Sequence, residues 1–116
     1  MKKILVVEDN LMMRKMIINL FKNEKVEVFE ASNGIEGLEL INNHHFDLVI
    51  TDIIMPKMEG IEFISRLKKE HPTVKVFAIS GSKPYYLYLA KMMGTDGIFT
   101  KPLNKTRFLN HVNKFL

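Results

Sequence analysis

Short apolar runs alternate along this chain with longer stretches in which apolar residues recur every three or four positions. Ile4-Leu5-Val6-Val7 is β-branched and nearly continuous, the pattern of a strand covered on both faces. Beyond Asp9-Asn10, the apolar positions Met13, Met16, Ile17, Leu20 and Phe21 follow helical spacing. Val26, Val28 and Phe29 predict a second strand. After the punctuation of Ser32-Asn33-Gly34, Ile35, Leu38 and Ile41 share one helical face. Leu48-Val49-Ile50 predicts a third buried strand, and Met55-Pro56 opens a loop. Gly60 precedes a helical stripe of Ile61, Ile64 and Leu67, which Pro72 stops. Val74, Val76, Phe77 and Ile79 predict strand four. Leu87, Ala90 and Met93 mark a helix that Gly94 would end. Ile98-Phe99 predicts strand five, and Phe108, Val112 and Phe115 line a last helix.

Strands alternating with helices imply an α/β fold: a parallel sheet, right-handed crossovers and helices on both faces. No repeat, low-complexity tract or linker interrupts the 116 residues, so residues 1–116 are expected to form a single domain. In such a sheet the site lies at the carboxyl ends of the strands. Strand one ends at Glu8 and Asp9, strand three at Thr51 and Asp52, strand four at Ser80, and strand five at Thr100 and Lys101. Strand two ends in Ser32 and Asn33, ordinary loop residues.

Composition narrows the picture. A chain that is 47% hydrophobic and 26% charged is an ordinary globular one and not a disordered one. With no cysteine, disulfides, cysteine-ligated zinc and thiol chemistry are excluded, and a cytoplasmic setting fits. The longest apolar runs fall far short of the ~20 residues of a membrane-spanning helix. Lys2-Lys3 precede one such run, but Glu8 and Asp9 interrupt it as no secretory signal core would tolerate. Seventeen Lys and Arg against thirteen Asp and Glu leave a net charge of +4. So small a surplus is a solubility feature first, and points to an acidic protein partner before nucleic acid.

Taken singly, the strand-end residues have plain explanations. Glu8-Asp9 could cap the following helix, Asp52 could serve a turn, Ser80-Gly81 could form a loop and Lys101 could be a surface lysine. Their joint placement is what points to a site. Three carboxylates brought together must take up protons or be neutralised by a cation. An all-oxygen cluster suits a hard ion, Mg2+ above all. A lysine and a hydroxyl beside it favour an incoming phosphate, and a carboxylate can itself accept a phosphoryl group.

Four segments carry a family resemblance: VVEDN at Val6 to Asn10, DLVITDIIMPKMEG at Asp47 to Gly60, ISGS at Ile79 to Ser82 and FTKPL at Phe99 to Leu103. The chain resembles the receiver domain of bacterial two-component response regulators, of the stand-alone, chemotaxis-regulator-like type. The resemblance covers essentially the whole chain and implies a flavodoxin-like fold with strand order 2-1-3-4-5. It makes Asp52 the phosphoacceptor, Asp9 a direct Mg2+ ligand, Glu8 a ligand through water, and the backbone carbonyl of Ile54 a further ligand. Ser80 would turn its hydroxyl to the phosphoryl group, and Lys101 would pair with it across a cis Lys101-Pro102 bond. The phosphoryl group would come from a histidine kinase or a histidine phosphotransfer protein. The output would be a protein contact through helix four, strand five and helix five, or onward relay, with no output domain of its own. Turnover would be confined to the protein's own phosphoryl group.

Some positions depart from the common pattern. Glu8 replaces the more frequent Asp, and Glu59 replaces an Asp before Gly60. Ile98 stands where many members carry an aromatic ring, with Phe99 expected on the other side of its strand. The interval from Ser80 to Lys101 is one residue short, to be absorbed after Ser80. Ile54 and Ser82 flank the site and would tune access of water. Of Tyr85, Tyr86 and Tyr88 at the start of helix four, at least one is expected at the surface. Met12 is expected outward as a contact for the phosphodonor, and Met13 inward. His44-His45 suit a helix C-terminus better than a metal. Lys105, Arg107, His111 and Lys114 make the last helix basic. A phosphorylation-independent scaffold on the same fold and a small-molecule phosphohydrolase remain competing readings. A flavin module fits poorly, because acids at the strand ends would repel a flavin phosphate.

Overall fold

The computed structural model describes residues 1–55, 58, 60–81 and 84–116. The expectations at Pro56, Glu59 and Ser82 lie outside these residues, as does the side chain of Leu87. Five strands and five helices alternate: β1 (Lys2–Val7), α1 (Leu11–Asn19), β2 (Val26–Ala31), α2 (Gly34–Asn43), β3 (Leu48–Asp52), α3 (Gly60–Glu70), β4 (Lys75–Ser80), α4 (Pro84–Met92), β5 (Gly97–Thr100) and α5 (Lys105–Phe115). The strands form one parallel sheet in the order β2-β1-β3-β4-β5. This is the flavodoxin-like order the resemblance implied.

Alternation along the central strands feeds two cores. Ile4, Val6, Leu48, Ile50, Phe77 and Ile79 face α1 and α5, meeting Ile17, Phe21, Phe108 and Val112. Leu5, Val7, Val49, Val76 and Ala78 face the other way, toward α2, α3 and α4. Burial on both faces explains why these strands are continuous apolar runs.

Two aspartates fix the strand entries. The Asp47 N–H donates to the Lys3 carbonyl at 2.8 Å, and its Oδ2 accepts the Lys3 N–H at 2.8 Å. Asp96 repeats the device on β4. Its N–H donates to the Val76 carbonyl at 2.8 Å, its Oδ2 accepts the Val76 N–H at 2.9 Å, and Lys68 approaches the same oxygen at 3.4 Å.

Three helical faces differ from expectation. On α2 the inward residues are Gly34, Gly37, Leu38 and Ile41, while Ile35 is exposed. A Cβ at Gly37 would sit 3.0 Å from the Phe63 ring and 3.1 Å from Val7. Gly34 makes room for Met58 and Gly37 for Phe63 and Val7, so the glycine side of α2 faces inward and Ile35 faces out. On α1, Met16 is exposed and Ile17 carries the burial. On α3, Phe63 is fully buried beside Ile64 and Leu67, although the stripe read from the sequence omitted it. Gly94, at φ 83°, follows α4 as the expected stop.

Candidate functional site

The β1–α1 connection is three residues long, and its division of labour is sharp. Asn10 caps α1, its Oδ1 accepting the Met13 N–H at 2.9 Å. Helix capping therefore does not account for Glu8-Asp9. Glu8 is only 1% exposed. One of its carboxylate oxygens accepts the Asn10 N–H at 3.1 Å and the other meets Lys101 Nζ at 3.2 Å.

Asp52 ends β3 and is 8% exposed. The N–H groups of Ile53 and Ile54 donate to its Oδ1 at 2.7 and 3.3 Å, and Lys101 Nζ meets its Oδ2 at 2.9 Å. Ser80 ends β4 and is 2% exposed; its carbonyl accepts the Lys101 N–H at 3.1 Å. The Lys101-Pro102 bond is cis, as the resemblance implied. Lys101 thus leaves β5 tied by its backbone to β4 and reaches across to the ends of β3 and β1.

Glu8, Asp9 and Asp52 each present a carboxylate oxygen, and these atoms lie within 4.8 Å of one another. Burial pushes the Glu8 carboxyl up to about 7. The Asn10 N–H opposes that shift, the Asp52 charge and the Asp9 side chain add to it, and Lys101 opposes it. Burial works against the Lys101 charge, but its hydrogen bond and charge interaction with Asp52, together with Glu8, hold its pKa above the ordinary value. Two buried carboxylates, Glu8 and Asp52, thus share one ammonium, with the exposed Asp9 beside them. Oxygen-only donors with an unmet charge are what a hard divalent cation selects.

The strand-end residues named from the sequence converge: Glu8, Asp9, Asp52, Ser80 and Lys101 occupy one edge. The Ile54 side chain is exposed beside them, its N–H on Asp52. The other candidates lie elsewhere. His45 pairs with Asp47 at 3.6 Å, and His44, the C-cap of α2, packs on Phe29 with centroids 5.1 Å apart. Tyr85 and Tyr88 are exposed on α4, while Tyr86 packs on the core. Met12 is exposed on α1, and Met13 is partly buried.

Two more residues border the site: Arg14, which the sequence reading did not single out, and Gly60, which it read as preceding the α3 stripe and closing the DLVITDIIMPKMEG segment. Arg14 donates to the Glu8 carbonyl through Nη1 at 2.8 Å. Gly60 seats α3 against the end of β3: its N–H donates to the Ile53 carbonyl at 2.7 Å, and a Cβ there would fall 2.5 Å from Ile53 Cα. The sequence carries no signal for Arg14, whose contacts are a backbone carbonyl and Glu30 of another strand.

Residues 4–113 match the family described as response regulator receiver domain. Sporulation initiation phosphotransferase F of Bacillus subtilis is 28% identical over 116 residues, spanning 99% of this chain and 94% of that protein. Chemotaxis protein CheY of Listeria monocytogenes is 33% identical over 116 residues, spanning 98% of each. Among solved structures, a CheY-like receiver domain protein from Methanospirillum hungatei shares 29% identity at a TM-score of 0.91, over 98% of this chain and 92% of that one. Chemotaxis protein CheY4 of Vibrio cholerae shares 27% identity at a TM-score of 0.89, over 100% and 99%. Because the matched stretch runs from the first strand into the last helix, the chain belongs to the receiver domain family of two-component response regulators.

Proposed function

We propose that this receiver domain is a phosphorylation-controlled switch in which Asp52 accepts a phosphoryl group from a histidine kinase or a histidine phosphotransfer protein. The observation that carries the reading is the Lys101 ammonium shared between Asp52 at 2.9 Å and Glu8 at 3.2 Å within a cluster of three carboxylates. A lysine so placed is already where an acyl phosphate on Asp52 would put its charge.

A carboxylate oxygen of Asp52 attacks the phosphorus of a phosphohistidine. The P–N bond breaks with its electron pair left on the imidazole nitrogen, and an acyl phosphate forms. Lys101 transfers its contact from the carboxylate to a phosphoryl oxygen, and the Ser80 hydroxyl donates to another. Glu8, Asp9, Asp52 and the backbone carbonyl of Ile54 would hold Mg2+, and a cation bound there would supply positive charge against the carboxylates and the phosphoryl group. In the reverse sense, water adds at phosphorus and the bond to Asp52 breaks. The carboxylate returns, and both protons of the water leave on inorganic phosphate. The protein turns over nothing but its own phosphoryl group, and we place it in the cytoplasm. Among the described residues, no helix is long and apolar enough to cross a membrane.

The output passes through protein contact on the surface of α4, β5 and α5, or through onward relay. Tyr85, Tyr88, Met92 and Ile98 are exposed there, and α5 adds exposed Lys105, Arg107 and Lys114. Apolar anchors beside basic groups suit a protein partner with an acidic rim.

Intact-mass spectrometry after treatment with phosphoramidate and Mg2+ tests the reading. The native chain should gain one phosphoryl mass, and Asp52→Asn should gain none. No adduct on the native chain, or an adduct that survives Asp52→Asn, would overturn the assignment. Partner affinity unchanged by Asp52→Asn and by beryllofluoride would favour the scaffold reading instead.

A further inference from the structure

We infer that Arg14, held by Glu30, is a positioning residue for the metal-binding acids, fixing the Glu8–Asp9 peptide from outside the site. The inference rests on the reading of Glu8 and Asp9 as cation ligands.

Arg14 lies on α1 with its side chain 13% exposed. Its guanidinium spans two elements: Nε donates to Glu30 Oε1 of β2 at 2.8 Å, and Nη1 donates to the Glu8 carbonyl at 2.8 Å. The second oxygen of Glu30 accepts Lys15 Nζ at 2.8 Å. The two cations hold the Glu30 carboxyl below its ordinary pKa, through the hydrogen bond from Lys15 first and that from Arg14 next. Glu8 is meanwhile tied on its amino side by an N–H···O bond to the Ala31 carbonyl at 3.1 Å. Both peptide units of Glu8 are therefore fixed, one by β2 and one by Arg14.

The consequence falls on Asp9. Glu8 has Lys101 and the Asn10 N–H to orient its carboxylate. Asp9 is exposed, and its direction depends on the peptide plane that precedes it. That plane is the one Arg14 grips. A planar fork can satisfy Glu30 and the carbonyl together, whereas a lysine offers a single point charge. Partners of this outer kind commonly tune metal affinity by 10–100-fold.

The sign of the effect separates positioning from simple electrostatics. Deleting a cation near a cluster of acids should strengthen divalent-cation binding if only its charge matters. Deleting a positioning residue should weaken it. Calorimetric titration with Mn2+ is expected to show Arg14→Ala binding about tenfold more weakly than the native chain. Arg14→Lys should also bind more weakly. Lys15→Ala removes a neighbouring charge but no contact to Glu8, and should bind as the native chain does or slightly tighter. Glu30→Ala should follow Arg14→Ala, while Glu30→Gln, which keeps an oxygen for Nε, should restore near-native binding.

Arg14→Ala binding Mn2+ as tightly as the native chain, or more tightly, overturns the inference. If Arg14→Ala does not fold, the two Glu30 variants decide it, and equal affinities in them overturn it as well. A native chain that binds no Mn2+ overturns the metal reading itself together with this inference.

Discussion

Glu8 shows how a single side chain can tie stability to the state of the site. Its folded pKa, about 7, lies above the ordinary 4.5, because burial disfavours the carboxylate. The folded state therefore keeps a proton that the unfolded chain releases. In this group the stabilising balance is complete below pH 4.5 and is lost as pH rises toward 7. Urea denaturation in EDTA should show stability falling across that window, and Glu8→Gln should flatten the slope. Mg2+ should restore stability at the upper end, because a cation bound only by the folded state adds to it. An unchanged slope in Glu8→Gln would assign the effect to another group. Gly60 is a second residue whose contacts can be tested. Because a Cβ there would meet the Asp52 carbonyl and Ile53 Cα, Gly60→Ala should cost at least about 1–3 kcal/mol by overpacking. It should also slow phosphorylation, since the displaced backbone is that of Asp52. The acids, the hydroxyl and the lysine were legible because each ends a strand, and strand ends can be read from apolar runs. Arg14 was not, since its role depends on a backbone carbonyl and on Glu30 of another strand, sixteen positions away.

Among the elements, the strands were the easiest to read and the helix faces the hardest. Fully buried strands show as runs of Ile, Leu and Val whatever their register. A helix face depends on which side is pressed to the sheet, and on α2 that side is set by Gly34 and Gly37, which carry no apolar signal. The aspartates before β3 and β5 were equally silent, since a strand-entry clamp looks like any loop acid. Asp96 satisfies the Val76 N–H and receives Lys68, so it joins α3, β4 and the start of β5. Asp96→Ala should cost about 1–3 kcal/mol, the range for leaving such a group unpaired. Asp96→Asn, which keeps an oxygen acceptor for Val76, should cost less. Thermal denaturation of the two variants measures the difference, and equal losses would leave the hydrogen bond to Val76 without a role.

Across the whole molecule, aromatic packing concentrates on the face of the sheet that carries α1 and α5. Phe99 lies 5.1 Å from Phe77 and 5.0 Å from Phe108 between ring centroids, and 5.3 Å from His111. Phe77 also meets Phe115 at 5.5 Å, and Phe21 meets Phe108 at 6.1 Å. Ile98, on the opposite side of β5, is 39% exposed and brings no ring to the outer face. Both residues stand just before Lys101, whose ammonium would change partners under the proposed phosphorylation of Asp52. A displacement of Lys101 pulls on β5, and the packed route out of β5 is inward, from Phe99 to Phe108 and α5. Close-packed side chains transmit such shifts because they cannot deform independently. Beryllofluoride with Mg2+ should therefore move the NMR signals of Phe108, Leu109 and Val112. Phe99→Leu should shrink those movements while leaving beryllofluoride binding intact, and Ile98→Ala should leave them unchanged. The reverse result, with Ile98→Ala silencing α5 and Phe99→Leu sparing it, would place the route on the outer face of β5. It would also make the solvent-exposed isoleucine the element that carries the signal.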